Sequence, residues 1–169
     1  MKVNDVNVMS SDIFINNFKN VFDHTPSISV SAEKLRPFEN KNHMIKNFLN
    51  EFDKLTVNIK KNIIKNHPDL GNKFKINNDL TEMSMNEQKN AGLENCTEEE
   101  FFLFKKLNNE FKSKFDIPFI FAVKGKNKSI IIEEFKKRLQ NDNMEKEVEE
   151  SIKQVKQIAN FRLNEIVDE

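Results

Sequence analysis

Residues 66–93, NHPDLGNKFKINNDLTEMSMNEQKNAGL, interrupt a chain that is otherwise spaced for helices. Apolar residues recur every three to four positions on both sides, whereas this stretch collects Pro, Gly and short polar side chains, which favour turns and helix ends. Pro68 cannot extend the preceding helix and disfavours helical geometry at His67. We therefore expect His67 to lie where a helix ends and the chain turns.

A short helix is predicted near the end of the same stretch. Thr81 or Ser84 can cap its start, and Gly92 can end it. This helix would carry Glu87, twenty residues after His67. Because both side chains can transfer protons and each lies beside a turn or a helix start, the stretch is a candidate active site in a helical enzyme.

The flanking segments predict a protein built of helices. Thr97 and Glu100 form a capping-box pattern, and the acidic first turn behind Thr97 suits the helix dipole. Residues 72–80 are polar and are predicted to form a loop. Apolar residues follow helical spacing over residues 11–24, 26–35, 41–64 (with a break near Thr56), 97–115, 129–139 and 144–167. The predicted fold class is all-α, with seven to nine helices.

One apolar run, IPFIFAV at residues 117–123, does not fit a helix. It is short and contains Pro118, so we predict a buried extended segment that Gly125 closes. Main-chain N–H and C=O groups buried in such a segment need hydrogen-bond partners. Neighbouring loops are the ordinary partners, and a polar ligand is the alternative.

Composition limits the classes of function. With 169 residues the chain is long enough for one domain with a sizeable core. Its 27 basic and 27 acidic residues balance, so no basic excess indicates a nucleic-acid binder. Cys96 is the only cysteine, and three scattered histidines accompany it, which makes an internal disulfide impossible and a structural zinc site improbable.

The ends of the sequence predict a cytoplasmic protein. Residues 1–11 lack a secretory signal pattern, and residues 1–10 are expected to be flexible. No apolar stretch is long enough to span a bilayer. The last residues are not a peroxisomal targeting tripeptide, which favours the cytosol over the peroxisome.

Arginine is used sparingly. The chain has 27 basic residues, but only Arg36, Arg138 and Arg162 are arginines. Where lysine is the default cation, an arginine indicates a place that needs the planar guanidinium group. The simpler interpretation of Arg162, on an amphipathic final helix, is a surface ion pair; likewise, His67 alone would be a solvated stop signal and Glu87 a surface residue.

Four motifs occur in order along the chain: His67-Pro68-Asp69-Leu70-Gly71, Ser84-x-x-Glu87-Gln88-x-x-Ala91-Gly92-Leu93, Pro118-Phe119-Ile120-x-Ala122-Val123-x-Gly125, and Arg162-Leu163. Together they resemble one family, the 2-oxo-4-hydroxy-4-carboxy-5-ureidoimidazoline (OHCU) decarboxylases. Asn108, Arg138-Leu139-x-Asn141 and Arg36-Pro37-Phe38 also fit the pattern, and the resemblance extends from about Phe18 to Ile166. Thr25-Pro26-Ser27 departs from it, because the family has a Trp after a Ser-Pro pair there.

This resemblance implies a single all-helical domain over residues 1–169 that works as a cofactor-free, homodimeric carboxy-lyase. Its expected reaction is the last step from urate to (S)-allantoin, which implies functional coupling to urate oxidase and hydroxyisourate hydrolase. His67 and Glu87 would be the catalytic pair, and no metal is expected. The substrate-binding residues would be Pro68, Ser84, Gln88, Phe119, Ile120, Phe121, Ala122, Val123 and Arg162.

Two alternatives remain open at the level of the sequence. One is a non-catalytic helical interaction module in which residues 117–123 are only a core segment and His67 only a turn residue. The other is an enzyme of the same fold that acts on a different ureido or imidazoline compound.

Overall fold

The computed structural model describes residues 1–71 and 81–169, in which the secondary structure is helical and contains no β-sheet. A single isolated parallel bridge, between Lys2 and Asp168, is the only β-type pairing in the described residues. The prediction of an all-α fold is confirmed. The α-helices are α1 (Val3–Val8), α2 (Ser11–Phe18), α3 (Pro26–Glu33), α4 (Lys41–Asp53), α5 (Val57–Lys65), α6 (Glu82–Asn90), α7 (Glu98–Phe115), α8 (Lys128–Leu139) and α9 (Met144–Ile166), with a short 3₁₀ helix at Leu93–Asn95.

Local capping explains where several helices begin. The Thr81 side chain accepts a hydrogen bond from the Ser84 N–H at the start of α6. Thr97 and Glu100 form the predicted capping box of α7. The Asn127 side chain accepts from the Ile130 N–H at the start of α8. Short polar side chains at these positions satisfy N–H groups that have no partner inside the helix.

The first predicted helix is shorter than its apolar pattern. The pattern extends to His24, but α2 ends at Phe18. There the Phe18 carbonyl accepts hydrogen bonds from the Val21 N–H and from the Ser29 hydroxyl, so a turn replaces the next helical hydrogen bonds. His24 has a positive φ of 54°, which a helix does not allow. Apolar spacing alone does not reveal this turn.

The described chain divides into two compact units, and we treat each by itself: unit 1 is Met1–Ile63 with Lys156–Glu169, and unit 2 is Ile64–Val155. The prediction of one domain over residues 1–169 stays a prediction. None of the described helices is long and apolar enough to cross a membrane. The predicted loop at residues 72–80 lies outside the described residues.

Unit 1 is packed around phenylalanine rings. Phe14 and Phe18 lie 4.7 Å apart between ring centroids, Phe14 and Phe48 lie 6.0 Å apart, and Phe22 stacks on Phe52 at 5.1 Å. All five rings are buried. Because the chain has no Trp or Tyr, this core is closed by rings that carry no hydrogen-bonding group.

The start of the chain is ordered within unit 1. Residues 1–10 were expected to be flexible, but Val3–Val8 form α1, with Val3 and Val6 buried. The Met1 ammonium group donates to the Ile166 carbonyl at 3.1 Å and to the Asp168 carboxylate at 3.0 Å. Contacts over such a sequence distance hold the segment, and no local pattern encodes them.

Unit 2 contains a second aromatic core. Phe111, Phe119 and Phe135 form its centre, with Phe119 stacked on Phe135 at a centroid distance of 3.6 Å. Phe104 joins them through an edge contact with Phe135. Two helices and the non-helical run therefore meet at this cluster, since Phe111 is on α7, Phe135 is on α8 and Phe119 is in the run 117–123.

The run 117–123 is not helical, as predicted. It lies between α7 and α8, and six of its seven residues are buried. Its residues all have negative φ, because His24 and Asp116 are the only described non-glycine residues with positive φ. Gly125, with φ of 74°, follows in the turn that closes it.

Candidate active site

The turn His67–Gly71 in unit 2 begins where α5 ends. The His67 N–H donates to the Ile64 carbonyl at 3.1 Å, one turn back in the helix. His67 is only 9% exposed. Its predicted position at a helix end is confirmed, and the solvated stop signal that a His before a Pro usually represents is excluded by this burial.

Gln88 on α6 connects this turn to the helix that carries Glu87. Its Oε1 accepts a hydrogen bond from the Gly71 N–H at 3.2 Å, and its Nε2 donates to the Asp69 carbonyl at 3.4 Å. Gln88 is buried, at 3% exposure. Both ends of its amide therefore fix the main chain immediately after Pro68. One amide hydrogen and one oxygen lone pair remain for other interactions.

Helix α7 supports the turn from another side. Asn108 Nδ2 donates to the Leu70 carbonyl at 2.8 Å and to the Phe104 carbonyl at 2.9 Å. Lys112 Nζ lies 2.6 Å from the Asp69 carboxylate. Asn108 and Lys112 are one helical turn apart, so both face the same side of α7. The turn is thus held through each of its last three residues.

The Asn108 side-chain oxygen is a polar atom of this region that accepts no hydrogen bond within the described residues. The residue is 2% exposed. Because Asn108 Nδ2 already donates to two carbonyl oxygens, the orientation of the amide is fixed by those bonds. The asparagine thus contributes its donor to the turn while its oxygen stays a buried acceptor without a partner in the described residues.

Gly71 fits a space that no other residue can occupy. Its φ is 71°, and a Cβ atom added there would lie 2.5 Å from Phe104 Cγ. Both the backbone conformation and the contact with the ring require glycine. Phe104, Asn108 and Lys112 are spaced four residues apart, so a single face of α7 sets both the shape and the hydrogen bonding of the turn.

Helix α6 presents the other predicted polar residues. Ser84 and Gln88 are buried, and Glu87 is half-buried. Residues 84, 87 and 88 lie on one face of a helix because they are three and four positions apart. Through Gln88, this face is held against the His67–Gly71 turn. His67, Pro68, Ser84, Glu87 and Gln88 all belong to unit 2.

Two side chains from helices bind the main chain of residues 117–123. Arg138 on α8 donates from a terminal guanidinium nitrogen to the Ile120 carbonyl at 2.5 Å. Gln154 on α9 accepts from the Ala122 N–H at 3.0 Å through its Oε1. Neighbouring loops were the expected partners of this segment, and here helix side chains fill that place. Within the described residues, the N–H groups of Phe119, Phe121 and Val123 donate no hydrogen bond.

Arg138 is itself held by an ion pair that is almost completely buried. It pairs with Glu147, and the two side chains are 5% and 2% exposed. Its Nε donates to Glu147 Oε1 at 2.8 Å, and a terminal nitrogen donates to the Ser151 hydroxyl at 3.3 Å. The central guanidinium carbon also lies over the Phe119 ring, 4.6 Å from the ring centroid.

Arg162 belongs to unit 1 and is also buried. Its guanidinium donates to both carboxylate oxygens of Asp23, at 2.9 and 3.2 Å, and to the carbonyls of Asn20 and Val21 at 2.9 and 3.3 Å. The surface ion pair suggested by an amphipathic helix is therefore wrong, since Arg162 is 2% exposed. Its predicted role in substrate binding is a proposal that rests on the family resemblance.

Sequence reasoning missed the supporting residues of the site. Lys112 and Gln154 were not singled out, and Asn108 was named only as fitting the family pattern, without a function, although it is a polar residue on the apolar face of α7. Arg138 carried a signal, because arginine is rare in this chain. Within residues 1–71 and 81–169, no group of three or more His, Cys, Asp or Glu side chains is arranged to hold a metal ion.

Comparison with known proteins identifies the relatives of the chain. A family model described as OHCU decarboxylase matches residues 7–164. The chain is 31% identical over 163 residues to the 2-oxo-4-hydroxy-4-carboxy-5-ureidoimidazoline decarboxylase of Xenopus laevis. That alignment covers 96% of this chain and 93% of the Xenopus protein. The chain is 35% identical over 169 residues to the uric acid degradation bifunctional protein of Bacillus sp. (strain TB-90), of which it spans only 33%.

Solved structures show the same fold. A crystal structure of (S)-allantoin synthase aligns with a TM-score of 0.79 at 20% identity and covers 99% of this chain and 54% of that one. A crystal structure of an OHCU decarboxylase in the presence of (S)-allantoin aligns with a TM-score of 0.71 at 16% identity, over 93% of this chain and 97% of that one.

Proposed function

Because the chain belongs to the OHCU decarboxylase family, we propose that it removes CO₂ from 2-oxo-4-hydroxy-4-carboxy-5-ureidoimidazoline and releases (S)-allantoin. The structural observation that supports an active site at residues 67–88 is the pair of hydrogen bonds from Gln88 to the turn. These bonds hold the helix that carries Glu87 beside the turn that carries His67. A catalytic pair needs such a fixed mutual position.

The reaction needs no external electron acceptor. When the bond from the ring carbon to the carboxylate breaks, its electron pair forms a C=C bond between that carbon and its ring neighbour. The C=N electrons of the neighbour move to nitrogen, which takes up a proton from solvent. The hydroxyl on the first carbon then loses its proton and becomes a carbonyl. The neighbouring carbon gains one proton on one face, and this step sets the S configuration of the product.

We assign proton transfer to His67. Histidine is the side chain that most readily exchanges protons near neutral pH, so the His67 imidazole can accept the hydroxyl proton and return a proton to the ring. Glu87 would orient the imidazole or a ring N–H. The main chain around His67 is held by a side chain of α6, by a side chain of α7 and by a main-chain hydrogen bond to the end of α5. Such support keeps a reacting side chain within the narrow range of positions that proton transfer needs.

The main chain of residues 119–123 is proposed to bind the ring of the substrate. Its N–H groups would stabilise negative charge on the oxygen that becomes enolate-like as CO₂ leaves. Phe119, Ile120, Ala122 and Val123 are buried, so their amides lie where a hydrogen bond gains strength from the exclusion of water. Ser84 and the remaining amide hydrogen and oxygen lone pair of Gln88 would bind the polar edge of the substrate ring. Pro68 would contact the face of that ring.

Partners follow from the relatives. The name of the Bacillus relative describes a bifunctional protein of uric acid degradation, so we propose that this chain works in sequence with enzymes that act earlier on urate. Urate oxidase and hydroxyisourate hydrolase would supply the substrate. A homodimer is proposed from the family resemblance, and the cytoplasmic location stays a prediction.

A stereochemical assay tests the proposed function. The substrate would be generated from urate with urate oxidase and hydroxyisourate hydrolase, and circular dichroism would follow the product after this protein is added. We expect fast formation of optically active (S)-allantoin. Slow decay to racemic allantoin at the rate without the protein would refute the proposal and would favour a non-catalytic module or an enzyme for another ureido compound.

A further inference from the structure

The hydrogen bonds to residues 117–123 fall on alternate residues. Arg138 binds the Ile120 carbonyl and Gln154 binds the Ala122 N–H. In an extended backbone the polar groups of residues two positions apart point to the same edge, and those of the residues between them point to the opposite edge. Arg138 and Gln154 therefore occupy one edge of the segment.

The opposite edge carries the polar groups of Phe119, Phe121 and Val123. In the described residues their N–H groups donate to no protein atom, and among their carbonyls only that of Val123 accepts a hydrogen bond, from the Lys126 N–H at 2.9 Å. On their edge, Arg138 and Gln154 bind one carbonyl and one N–H, and the Ile120 N–H on that edge donates no hydrogen bond within the described residues. On the opposite edge, three N–H donors are left and no helix side chain binds the main chain there. The two edges have different roles.

Arg138 has the features of a fixed support. Glu147 and Ser151 are one helical turn apart on α9, and both contact its guanidinium. The guanidinium carbon lies over the Phe119 ring. A buried ion pair contributes little net stability, because both charges lose their hydration. Its value here is geometric, since one rigid group fixes both the Ile120 carbonyl and the neighbouring Phe119 side chain.

We infer that Arg138, held by Glu147, and Gln154 are positioning residues that set the rotation of the 119–123 main chain, so that the N–H groups of Phe119, Phe121 and Val123 point toward the substrate. This inference rests on the proposed function and assigns residues to it that do not contact the substrate. It also reduces the set of main-chain N–H groups proposed to bind the substrate from all five of residues 119–123 to those of Phe119, Phe121 and Val123.

Arginine is required at position 138 because its guanidinium contacts four partners at once. It donates to a carbonyl, to a carboxylate and to a hydroxyl, and it offers a flat face to a ring. Lysine keeps the charge but is a point donor on a flexible stem. Arg138→Lys therefore retains the electrostatic partner of Glu147 while releasing the Ile120 carbonyl or the stacking on Phe119.

The test compares Arg138→Lys with Arg36→Lys. Arg36, in unit 1, is a matched control: it pairs with Glu33, donates to the carbonyls of Val6 and Met9, and lies 5.1 Å from the Phe14 ring centroid. Both substitutions remove the same kinds of contact, but only one acts on the segment 119–123. Steady-state kinetics would be measured for both variants with the circular dichroism assay, alongside their thermal unfolding.

We expect Arg138→Lys to lower kcat/KM by about tenfold to a hundredfold, chiefly through a higher KM, since misplaced donors weaken substrate binding. Arg36→Lys should keep the KM of the wild type even where it unfolds at a lower temperature. A variant that merely loses folded protein shows a lower apparent kcat at unchanged KM. If Arg138→Lys shows that pattern, or matches Arg36→Lys throughout, the positioning role is refuted.

A second variant covers the case in which Arg138→Lys fails to fold. Gln154→Met removes the acceptor of the Ala122 N–H without touching the buried ion pair, and a rise in KM is again expected. An unchanged KM would contradict the inference. Absence of wild-type turnover would instead refute the proposed function, and the positioning role with it. Normal wild-type turnover with unaffected variants refutes only the positioning role.

Discussion

The turn 67–71 and the segment 117–123 are both non-helical parts of unit 2, but different forces hold them. The turn is fixed by neutral amides, Gln88 and Asn108, by an exposed lysine and by a glycine that fits against Phe104. The segment is fixed by a buried arginine–glutamate pair and by aromatic stacking. Close packing and neutral hydrogen bonds therefore dominate in the turn, whereas a buried ion pair and aromatic stacking dominate in the segment.

This difference matches what each part is proposed to present. The turn presents a side chain, His67, whose position depends on the local backbone angles; a short turn packed against two helices sets these angles. The segment presents main-chain N–H groups, whose direction depends on how the segment is rotated about its own axis. A guanidinium that binds the Ile120 carbonyl and also lies over the Phe119 ring resists that rotation better than a single hydrogen bond does.

The largest expected effect is on the side of the turn. His67→Asn keeps a polar group of similar size but cannot exchange protons near neutral pH. Loss of general acid–base catalysis typically lowers the rate by about 10² to 10⁴-fold. We expect kcat for (S)-allantoin formation to fall by that amount, measured by circular dichroism, while the far-ultraviolet spectrum remains helical.

His43→Asn is the matched control for this substitution. His43 is on α4 in unit 1, and its ring accepts a hydrogen bond from the Glu39 N–H at 3.1 Å. We expect its kcat to stay within about twofold of the wild type, because His43 has no assigned role in the reaction and substitutions outside special structural features have small effects. Near-normal turnover in His67→Asn would remove His67 from the catalytic pair.

The next largest effect is on the stability of the segment. Glu147→Ala leaves the Arg138 guanidinium buried without its carboxylate, and removing one partner of a buried ion pair costs about 3 to 5 kcal/mol in the free energy of unfolding. Urea denaturation followed by circular dichroism would measure the loss. The double variant Arg138→Met with Glu147→Leu removes both charges and should recover part of it. A double variant that is less stable than Glu147→Ala would show that hydrogen bonding, not charge, dominates here.

The sequence predicted the elements of this comparison but not their supports. Caps such as Thr81 and Thr97 are local, and they lie where predicted. The non-helical run was visible from Pro118 and its length. In contrast, the Asn108 bond to the Leu70 carbonyl joins residues 38 positions apart, and the Arg138 bond to the Ile120 carbonyl joins residues 18 apart. Only tertiary packing creates such contacts.

Local patterns also gave wrong boundaries where packing intervenes. Val21 and Phe22 continue the apolar spacing of α2, yet both are buried in a turn beyond its end. Burial of an apolar side chain stabilises a turn as well as a helix, so periodicity cannot distinguish them. The three rare arginines were better guides, because Arg36, Arg138 and Arg162 each combine a carboxylate with main-chain carbonyls.

A third prediction compares Gly71, the last residue of the turn 67–71, with Gly125, which follows the segment 117–123. Gly71→Ala places a Cβ against Phe104 at positive φ, and the strain and overpacking together should cost about 2 to 4 kcal/mol of unfolding free energy. Gly125 also has positive φ, but a Cβ there would have no neighbour within 4 Å. Gly125→Ala should therefore cost only about 1 to 2 kcal/mol. Calorimetry or urea unfolding would compare the two.

Phe104→Leu separates the two causes in this pair of glycine variants. A smaller side chain relieves the contact without changing the backbone conformation, so we expect it to reduce the cost of Gly71→Ala and to leave the cost of Gly125→Ala unchanged. Equal costs for the two glycine substitutions would show that backbone strain, and not the fit against Phe104, controls the turn.

The smallest effect is expected at the exposed end of the turn. Lys112→Met removes the partner of Asp69, but Lys112 is 45% exposed and Asp69 is 17% exposed, so water screens the pair. Such pairs contribute about 0 to 1 kcal/mol. We expect a correspondingly small loss of unfolding free energy that shrinks further in 1 M salt, whereas the loss in Glu147→Ala should persist, because buried charges are poorly screened. A salt-independent loss as large as that of Glu147→Ala would mean that charge holds the turn as firmly as it holds the segment.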